Sequence, residues 1–361
     1  MSSIFNNSNG TKSHEKKKTL IISAPAREDE LTVASHIIQS GGLVVFPTET
    51  VYGLGANAYD ASAVMGIFKA KGRPSDNPLI VHVSKPEDAE NFAYTTTLFY
   101  KLAKAFMPGP LTVILKKRSN IPASVTAGLD TVGVRCPSHE TAHRLLSLCK
   151  VPVAAPSANL SGRPSPTKVT HVIEDMNGRV DAIIDGGECE YGLESTVVLP
   201  TGEDSLKILR PGAVTADALR CVCGDVTLAD GADGSDIEKP LSPGMKYKHY
   251  APRSPLILLD GKREDVVTFV ASEMKQKSCL FICYDEDAAP FGDRALTLGR
   301  ASDEASHAHR LFDCLRCADE IGETKRIDVI YTYMPAKGED GLSPAIYNRL
   351  IRAAGHTVMK L

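Results

Sequence analysis

A strong charge of one sign and a long apolar run are both missing from this chain of 361 residues. Its 41 basic and 44 acidic side chains give a formal net charge of -3, whereas a protein that coats nucleic acid carries a basic face or tail. No stretch reaches the ~18 consecutive apolar residues that a membrane-spanning helix requires. We therefore expect neither a membrane protein nor a nucleic-acid-coating protein, although this balance still allows a local basic pocket.

The chain also lacks the signs of a disulfide framework and of a secretory leader. Its nine cysteines are odd in number, and several lie in apolar runs such as 279–283, which favours buried thiols in a reducing compartment. The first twenty residues are largely polar and contain no arginine, unlike a secretory signal or a transit peptide. These features predict a cytoplasmic protein with a disordered lead over residues 1–28.

Strand-like and helical segments alternate through the first two thirds of the chain. The spacing of Val64, Ile67 and Phe68 predicts a helix over 60–70 with Asp60 as its N-cap, and a second helix is predicted over 139–149. This alternation is typical of an α/β domain with a mixed sheet, which we place at 29–222. Short apolar, β-branched runs predict its strands at 43–46, 79–83, 111–115, 132–135, 151–154, 182–184 and 195–199.

The composition changes after residue 222. Residues 229–244 are rich in Gly, Asp, Ser and Pro, which is typical of a linker, and aromatic and basic side chains follow up to residue 252. We therefore interpret 223–255 as a linker. Beyond it, predicted strands at 256–259, 279–283 and 327–331 alternate with helices near 262–275 and 302–320. That pattern predicts a smaller Rossmann-like α/β domain over 256–361.

Two polar segments of the first domain follow predicted elements directly. Residues 46–55, Phe-Pro-Thr-Glu-Thr-Val-Tyr-Gly-Leu-Gly, place the hydroxyls of Thr48 and Thr50 after a strand, where they could hold a small polar ligand or form a plain turn. Lys71 and Arg73 flank a glycine at the end of a predicted helix. They could bind phosphates or complement the helix dipole. The spacing of a Walker loop is absent.

Three further polar segments also lie at the ends of predicted strands. Arg135 ends a strand that is expected to be buried, so it should meet an internal acid or a carboxylate ligand. Ser157 and Asn159 follow a short strand, where ligands of such sheets gather. Ser195 opens another strand. Arg210, in Leu-Arg-Pro-Gly, is a further isolated arginine in addition to these segments. Five such segments in one domain indicate a shared binding site rather than unrelated turns.

In this order and spacing, the segments resemble the threonylcarbamoyl-AMP synthase (YrdC-like) family in its two-domain form. The resemblance is strong over about 30–215, and it implies a YrdC-like twisted mixed sheet domain followed by the smaller Rossmann-like domain. The motifs that carry it are Pro-Thr-Glu-Thr-Val-Tyr-Gly-Leu at 47–54, Lys-Gly-Arg at 71–73, Ser-Ala-Asn at 157–159, Arg-Pro-Gly at 210–212 and Pro-Gly-Met-Lys-Tyr-Lys-His-Tyr-Ala-Pro at 243–252.

The resemblance implies a specific reaction and a specific set of site residues. Family members condense L-threonine with bicarbonate and transfer AMP from ATP with Mg²⁺ as cofactor, and a separate tRNA threonylcarbamoyltransferase complex then modifies the adenosine beside the anticodon. The implied catalytic residues are Lys71, Arg73 and Arg135. The implied ATP-binding residues are Lys71, Arg73, Asn77, Ser157, Asn159, Arg210 and Tyr250. The implied threonine-binding residues are Thr48, Thr50, His82, Arg135, Ser157 and Ser195. Tyr247 and Tyr250 of the linker are implied as a lid.

Three other interpretations are weaker. Cys314 and Cys317, with His307 and His309 upstream, could form a metal site, but a single Cys-x-x-Cys within a helical pattern lacks the second pair of ligands. Lys71 and Arg73 could join the basic segment 116–118 in a surface that binds tRNA or double-stranded RNA weakly, against the overall acidic balance. Carbamoyl-transferring maturation enzymes carry a similar domain, but they add acylphosphatase-like and zinc-finger modules that this chain lacks.

Overall fold

The computed structural model describes residues 17–233, 249–338 and 340–361. In the first domain the strands are β1 Leu20–Ile22, β2 Val44–Phe46, β3 Gly53–Asn57, β4 Ile80–His82, β5 Ala93–Tyr94, β6 Leu111–Lys117, β7 Thr131–Arg135, β8 Val153–Ala155, β9 Ala182–Ile184, β10 Thr196–Pro200, β11 Ser205–Arg210 and β12 Asp225–Leu228. The α-helices are α1 Glu28–Gln39, α2 Ala61–Lys71, α3 Thr97–Phe106, α4 Ala123–Thr126, α5 Glu140–Cys149, α6 Val169–Met176 and α7 Ala216–Arg220, with a 3-10 helix at Pro86–Asn91.

These strands form one mixed, twisted sheet, as predicted. Its order is β1-β9-β2-β3-β8-β4-β7-β6-β10-β11-β12, with β5 paired to β6. Parallel and antiparallel neighbours alternate irregularly, and β4 and β7 are parallel while β6 and β7 are antiparallel. The register places His82 opposite Arg135, and Arg135 opposite Thr112. Because residues that are paired across strands share a face of the sheet, these three polar side chains lie in one row.

Helix α2 places Lys71 at the site. Its first and last residues are set by Asp60 and Gly72, as the sequence predicts. The Asp60 Oδ1 atom accepts the backbone N–H groups of Ser62 and Ala63 at 2.8 and 3.2 Å, as an N-cap does. The helix ends at Gly72, whose left-handed φ of 60° suits a residue without a Cβ atom. Lys71 is therefore the last helical residue, and Arg73 follows directly after the turn.

The structure corrects two predictions in this domain. The predicted lead and linker both extend too far, because β1 within residues 17–28 pairs with β9 and β12 beyond residue 222 pairs with β11; residues 1–16 lie outside the described residues. The Gly-Leu-Gly segment, predicted as a loop, belongs to β3. Its glycines are required there because a Cβ atom on Gly55 would lie 2.8 Å from the ring of Phe46.

The second domain is the predicted Rossmann-like unit. Its sheet is parallel, in the order β15-β14-β16-β13-β17. The strands are β13 Leu256–Asp260, β14 Cys279–Cys283, β15 Ala295–Thr297, β16 Val329–Tyr333 and β17 Val358–Lys360, and the α-helices are α8 Arg263–Glu273, α9 Glu304–Thr324 and α10 Ser343–Ala353, with 3-10 helices at Asp285–Asp287 and Ala289–Arg294.

The two domains share one apolar cluster. Val51 and Leu193 of the first domain pack in the same cluster as Phe312 of α9 and Leu350 of α10. Tyr250, from the segment that joins the domains, belongs to this cluster too. Helices α9 and α10 therefore cover the side of the first domain on which the polar row opens. Within the described ranges, no helix is long and apolar enough to cross a membrane.

Candidate functional site

A cavity of about 70 Å³ lies beside the polar row, and His249 and Tyr250 of the segment that joins the domains contribute to its wall. Thr50 lies just behind its wall, Asn77 lines an adjoining cavity of about 170 Å³, and Tyr247 lies outside the described residues. Residues from five separate segments of the sequence therefore meet here, as the sequence predicts. The other predicted site residues line the first cavity: Thr48, Lys71, Arg73, His82, Arg135, Ser157, Asn159, Ser195, Arg210 and Tyr250.

Arg135 lies at the centre of the first group of contacts. Its NH2 atom is 2.7 Å from Glu49 Oε1 and 2.8 Å from Thr50 Oγ1, and Thr48 Oγ1 lies 2.9 Å from Thr50 Oγ1. The internal acid that the buried strand position requires is thus Glu49, which lies within the Thr-Glu-Thr motif. Glu49 is not among the site residues that the sequence predicts, although its position between two threonines of a polar motif was a usable signal.

Arg135 keeps donor capacity in spite of this ion pair. Its Nε atom is buried and has no hydrogen-bond partner among residues 17–233, 249–338 and 340–361, while the side chain lines the cavity. Leaving a buried donor unsatisfied costs about 1–3 kcal/mol. A carboxylate that enters the cavity can recover this cost, because guanidinium and carboxylate groups match as two-point partners.

His82 is held neutral beside this arginine. Burial, followed by the charge of Arg135, lowers the pKa of His82 to about 3. Its Nδ1 atom lies 3.2 Å from the carbonyl oxygen of Ile80, and its ring packs edge-on against Phe46. At neutral pH the imidazole can therefore exchange hydrogen bonds with a ligand without adding a charge.

The pH dependence of stability should reveal this neutral histidine. The pKa of His82 in the folded protein lies below the ordinary value of about 6.5. Its contribution to the free energy of unfolding is therefore fully present above pH 6.5 and is lost progressively as the pH falls toward 3. We expect His82→Asn to reduce the loss of unfolding free energy between pH 7 and pH 5 by about 2 kcal/mol. Urea unfolding at the two pH values measures it, and exposed His143→Asn is the matched control. An unchanged pH dependence in His82→Asn would contradict a depressed pKa.

Lys71 organises the loop that follows β8. Its Nζ atom donates to the carbonyl oxygens of Ser157 and Asn159, the latter at 2.6 Å. Ser157 Oγ in turn donates to Asn159 Oδ1 at 2.5 Å. Burial, followed by the charge of Arg73, lowers the pKa of Lys71 well below its ordinary value. No carboxylate contacts Nζ in the described part of the chain, so an anionic ligand would supply the missing countercharge.

Arg73 and Asn77 form the boundary between the two cavities. Arg73 NH2 donates to the carbonyl oxygen of Asn77 at 3.0 Å and lines both cavities. Burial lowers the pKa of Arg73 to about 10, so the guanidinium stays charged at pH 7. The Oδ1 atom of Asn77 is buried without a hydrogen-bond partner among the described residues. This region therefore offers a charged donor and an uncovered oxygen acceptor.

Ser195 and Arg210 form a third corner of the cavity. Arg210 donates through Nε and NH2 to the carbonyl oxygen of Ser195 at 3.1 and 2.9 Å. Ser195 Oγ lies 2.8 Å from Oγ1 of Thr112, a second residue that sequence analysis did not single out. Burial lowers the pKa of Arg210 to about 10, which leaves it charged at pH 7. The cavity is therefore lined by three guanidinium groups, those of Arg73, Arg135 and Arg210.

The segment before β13 covers the cavity. Tyr250 is buried at a left-handed φ of 64°, and its ring centroid lies 5.1 Å from that of Phe312. His249 lines both cavities, although its sequence context gave it no role. The backbone N–H of Ala251 donates to the carbonyl oxygen of Gly162 at 2.9 Å, which attaches this cover to the loop after β8.

The structure argues against two of the other interpretations. Within the residues that the structure describes, no group of three potential metal ligands comes together, and His307 and His309 contact the carbonyl oxygens of Arg300 and Glu190. Lys71 is buried inside the cavity wall, so it cannot form a continuous basic surface with the exposed residues near Arg118. Neither the alternative metal site nor the joint basic surface is therefore supported by the described residues.

Comparison with known proteins agrees with this geometry. A Sua5, YciO and YrdC family model described as "Telomere recombination" matches residues 36–212, and a model described as "Threonylcarbamoyl-AMP synthase, C-terminal domain" matches residues 214–355. A threonylcarbamoyl-AMP synthase of Pyrococcus abyssi is 42% identical over 357 residues, which cover 95% of this chain and 100% of that protein. A threonylcarbamoyl-AMP synthase of Bacillus subtilis is 40% identical over 337 residues, which cover 92% of this chain and 95% of that protein.

A solved structure extends the similarity to the arrangement of the domains. The structure of P. abyssi Sua5 complexed with L-threonine matches with a TM-score of 0.85 and 39% identity, over 95% of this chain and 99% of that one. The two sequence models match one domain each, and each of the two relatives spans both domains. The chain therefore belongs to the threonylcarbamoyl-AMP synthase family, in its two-domain form, and is a transferase.

Proposed function

We propose that this enzyme forms L-threonylcarbamoyladenylate from L-threonine, bicarbonate and ATP and releases pyrophosphate. The observation that carries the proposal is one cavity lined by Arg135, whose Nε has no hydrogen-bond partner among the described residues, by the buried Lys71 and by the half-buried Arg73. Such a cavity suits a ligand pair with one carboxylate and several phosphates. The threonine complex of the P. abyssi protein, at 39% identity, supports threonine as the carboxylate ligand.

In this proposal the polar row binds threonine. Arg135 binds the carboxylate through its free Nε edge, while Glu49 keeps the guanidinium in place. Thr48, Thr50 and neutral His82 provide hydroxyl and imidazole groups for the amine and hydroxyl of the substrate. Ser157 and Ser195 complete the threonine subsite from the opposite loops.

The remaining cations bind ATP. Lys71 and Arg73 contact the phosphates, with Arg210 also placed on the nucleotide. Asn77, Ser157 and Asn159 add neutral polar contacts, and Tyr250 provides an aromatic surface. Because the Lys71 contacts already hold the loop that carries Ser157 and Asn159, this loop needs little reorganisation when the phosphates bind.

The reaction needs positioning rather than a protein nucleophile. The threonine amine attacks the carbon of bicarbonate, and loss of water leaves a carbamate. A carbamate oxygen then attacks the α-phosphorus of ATP, the bond between this phosphorus and the bridging oxygen of the β-phosphate breaks, and pyrophosphate leaves. Lys71, Arg73 and Arg210 stabilise the negative charge on the phosphates. Our proposal assigns no role to the cysteines.

The cavity also fits a magnesium ion that enters with ATP. Asn77 Oδ1, which lacks a partner in the described ranges, and the oxygens of Ser157 and Asn159 are neutral donors of the type that Mg²⁺ accepts. Glu194, which lines the first cavity, and Glu49, which lies outside the lining of both cavities, are paired with arginines instead. Asp76 is the carboxylate that lines the cavity beside Asn77. Mg²⁺ would be held by the phosphates, where it neutralises charge, and by these neighbouring oxygens.

The cover over the cavity should move for ATP to enter. A water molecule needs about 10–15 Å³ of such volume, so a cavity of about 70 Å³ is far too small for ATP and threonine together. Tyr250 is the aromatic residue whose displacement would enlarge it, which supports the proposed role of this segment as a lid. Closure would then shelter the carbamate and the adenylate from water.

The product has a reactive mixed anhydride and needs an acceptor. We propose that a separate tRNA threonylcarbamoyltransferase complex consumes it to form threonylcarbamoyladenosine next to the anticodon. Weak tRNA or double-stranded RNA binding by the enzyme itself stays a prediction, as does its cytoplasmic location.

Pyrophosphate release by the full chain tests the proposed reaction. Purified protein with ATP and Mg²⁺ should release pyrophosphate only when L-threonine and bicarbonate are both present, with L-serine as the matched substrate control. Mass spectrometry should then detect the carbamoylated adenylate. Release with threonine alone in bicarbonate-free buffer would indicate simple aminoacyl adenylation. The absence of release in every mixture would contradict the proposed function.

A further inference from the structure

Helix α10 of the second domain carries an arginine that reaches into the first domain. Arg349 is fully buried, and its Nε atom lies 3.1 Å from Glu194 Oε2. Its NH1 atom donates to the carbonyl oxygen of Pro211, and its NH2 atom donates to that of Glu194 at 3.3 Å. One side chain therefore holds two chain segments of the first domain through three nitrogen atoms.

These two segments carry a corner of the substrate cavity. Glu194 immediately precedes Ser195, and Pro211 immediately follows Arg210, and both Ser195 and Arg210 line the cavity. The corner has little room for adjustment, since a Cβ atom on Gly212 would lie 2.5 Å from the backbone nitrogen of Thr196. A shift of either segment would thus displace Ser195 and Arg210 together.

Charge gives Arg349 a second effect on the same corner. Burial raises the pKa of Glu194, but the charges of Arg349 and Arg210 oppose this effect and leave the pKa below its ordinary value. Ser165 Oγ also donates to Glu194 Oε1 at 2.6 Å. The cavity wall therefore contains an ionised carboxylate where anionic substrates bind, and Arg349 supplies the opposite charge that offsets it.

We propose that Arg349 is a positioning residue through which the C-terminal domain completes the threonine subsite. It holds the Glu194–Ser195 and Arg210–Pro211 segments in the arrangement that binds substrate, and it touches no substrate itself. The inference rests on the proposed function for the identity of the ligand, L-threonine. It assigns to the second domain a part in substrate binding in addition to covering the first domain.

Threonine affinity in the full chain tests this role. Arg349→Met should raise the threonine Kd from calorimetry and the threonine KM by about 10- to 100-fold, because a misplacement of about 1 Å at a binding group has effects of this size. A purely structural role predicts a different result. Partial unfolding lowers the amount of active enzyme and hence the apparent kcat, but it leaves the KM of the folded molecules unchanged.

Asp313→Asn is the matched control. Asp313 of α9 forms a cross-domain ion pair with Lys168 at 2.9 Å, and neither residue lines the cavity. We expect this variant to keep its threonine KM within about twofold, since exposed or half-exposed pairs contribute little. An equal rise of KM in Asp313→Asn and Arg349→Met would assign the effect to domain docking in general and overturn a specific role for Arg349.

Arg349→Lys covers the case in which Arg349→Met does not fold. Lysine keeps a positive charge beside Glu194 but cannot bind Glu194 and Pro211 at once, so we expect an intermediate rise of about 5- to 20-fold in threonine Kd. A folded Lys variant with wild-type Kd would overturn the proposal. Calorimetry needs neither ATP nor bicarbonate, so a wild-type chain that binds threonine without releasing pyrophosphate would refute the proposed reaction alone. A wild-type chain that binds no threonine would refute both.

Discussion

Replacing Arg135 by lysine is expected to raise the threonine KM by roughly a hundredfold and to leave the ATP KM nearly unchanged. The NH2 atom of the guanidinium contacts Glu49 and Thr50, while its Nε atom lacks a partner in the described part of the chain. Lysine presents a single charged nitrogen, which Glu49 would attract, so the substrate carboxylate would lose its donor.

Steady-state pyrophosphate release at varied threonine measures this effect. Arg118→Lys is the matched control, because Arg118 is an exposed arginine just after β6 that contacts the backbone of Glu90. A threonine KM within twofold of wild type in Arg135→Lys would show that the carboxylate is bound elsewhere. Threonine calorimetry on the same variant separates a loss of binding from a loss of chemistry.

Lys71→Met is expected to lower kcat/KM for ATP by roughly a thousandfold, the larger of the two effects. The change removes the cation nearest to the phosphates in the proposed complex. It also leaves the carbonyl oxygens of Ser157 and Asn159 without their donor, which loosens the loop that carries two further ATP contacts. Both consequences act on the transition state as well as on binding, so kcat should fall together with ATP affinity.

Lys69→Met provides an internal comparison. Lys69 lies on the same helix α2, two residues earlier, and is exposed. The same loss of charge there should change kcat/KM for ATP by less than about twofold. If Lys71→Met folds normally by circular dichroism and keeps activity similar to that of Lys69→Met, the phosphates do not depend on this end of α2.

Most regular elements of the first domain could be predicted from local pattern. Helix α2 is the best case, because Asp60 and Gly72 fix its two ends through local geometry that sequence displays. Strand β3 could not be predicted, since its glycines indicate a turn when neighbours are unknown. They are explained by the ring of Phe46 on β2 and, at Gly55, also by Val153 on β8, which pack against them from the two adjacent strands.

The site residues also differ in whether local sequence or distant contacts reveal them. Lys71 could be found because it lies within a contiguous motif, and Arg135 because an arginine at the end of a strand that is expected to be buried needs a partner. Arg349 could not, since it lies in an ordinary amphipathic helix more than 130 residues from Pro211, and no local pattern shows which buried pair it forms. The predicted boundaries of the first domain were displaced for the same reason. Strands β1 and β12 are short edge strands, and their pairing partners could not be recognised from the local sequence.

The apolar cluster shared by the two domains has a consequence for how the protein unfolds. Val51 and Leu193 are buried against Phe312 and Tyr250, so a chain ended at residue 222 would expose both to water and would remove Arg349, the ion-pair partner of Glu194. The two domains have separate sheets, but they share buried structure. We therefore expect them to unfold together in one cooperative transition.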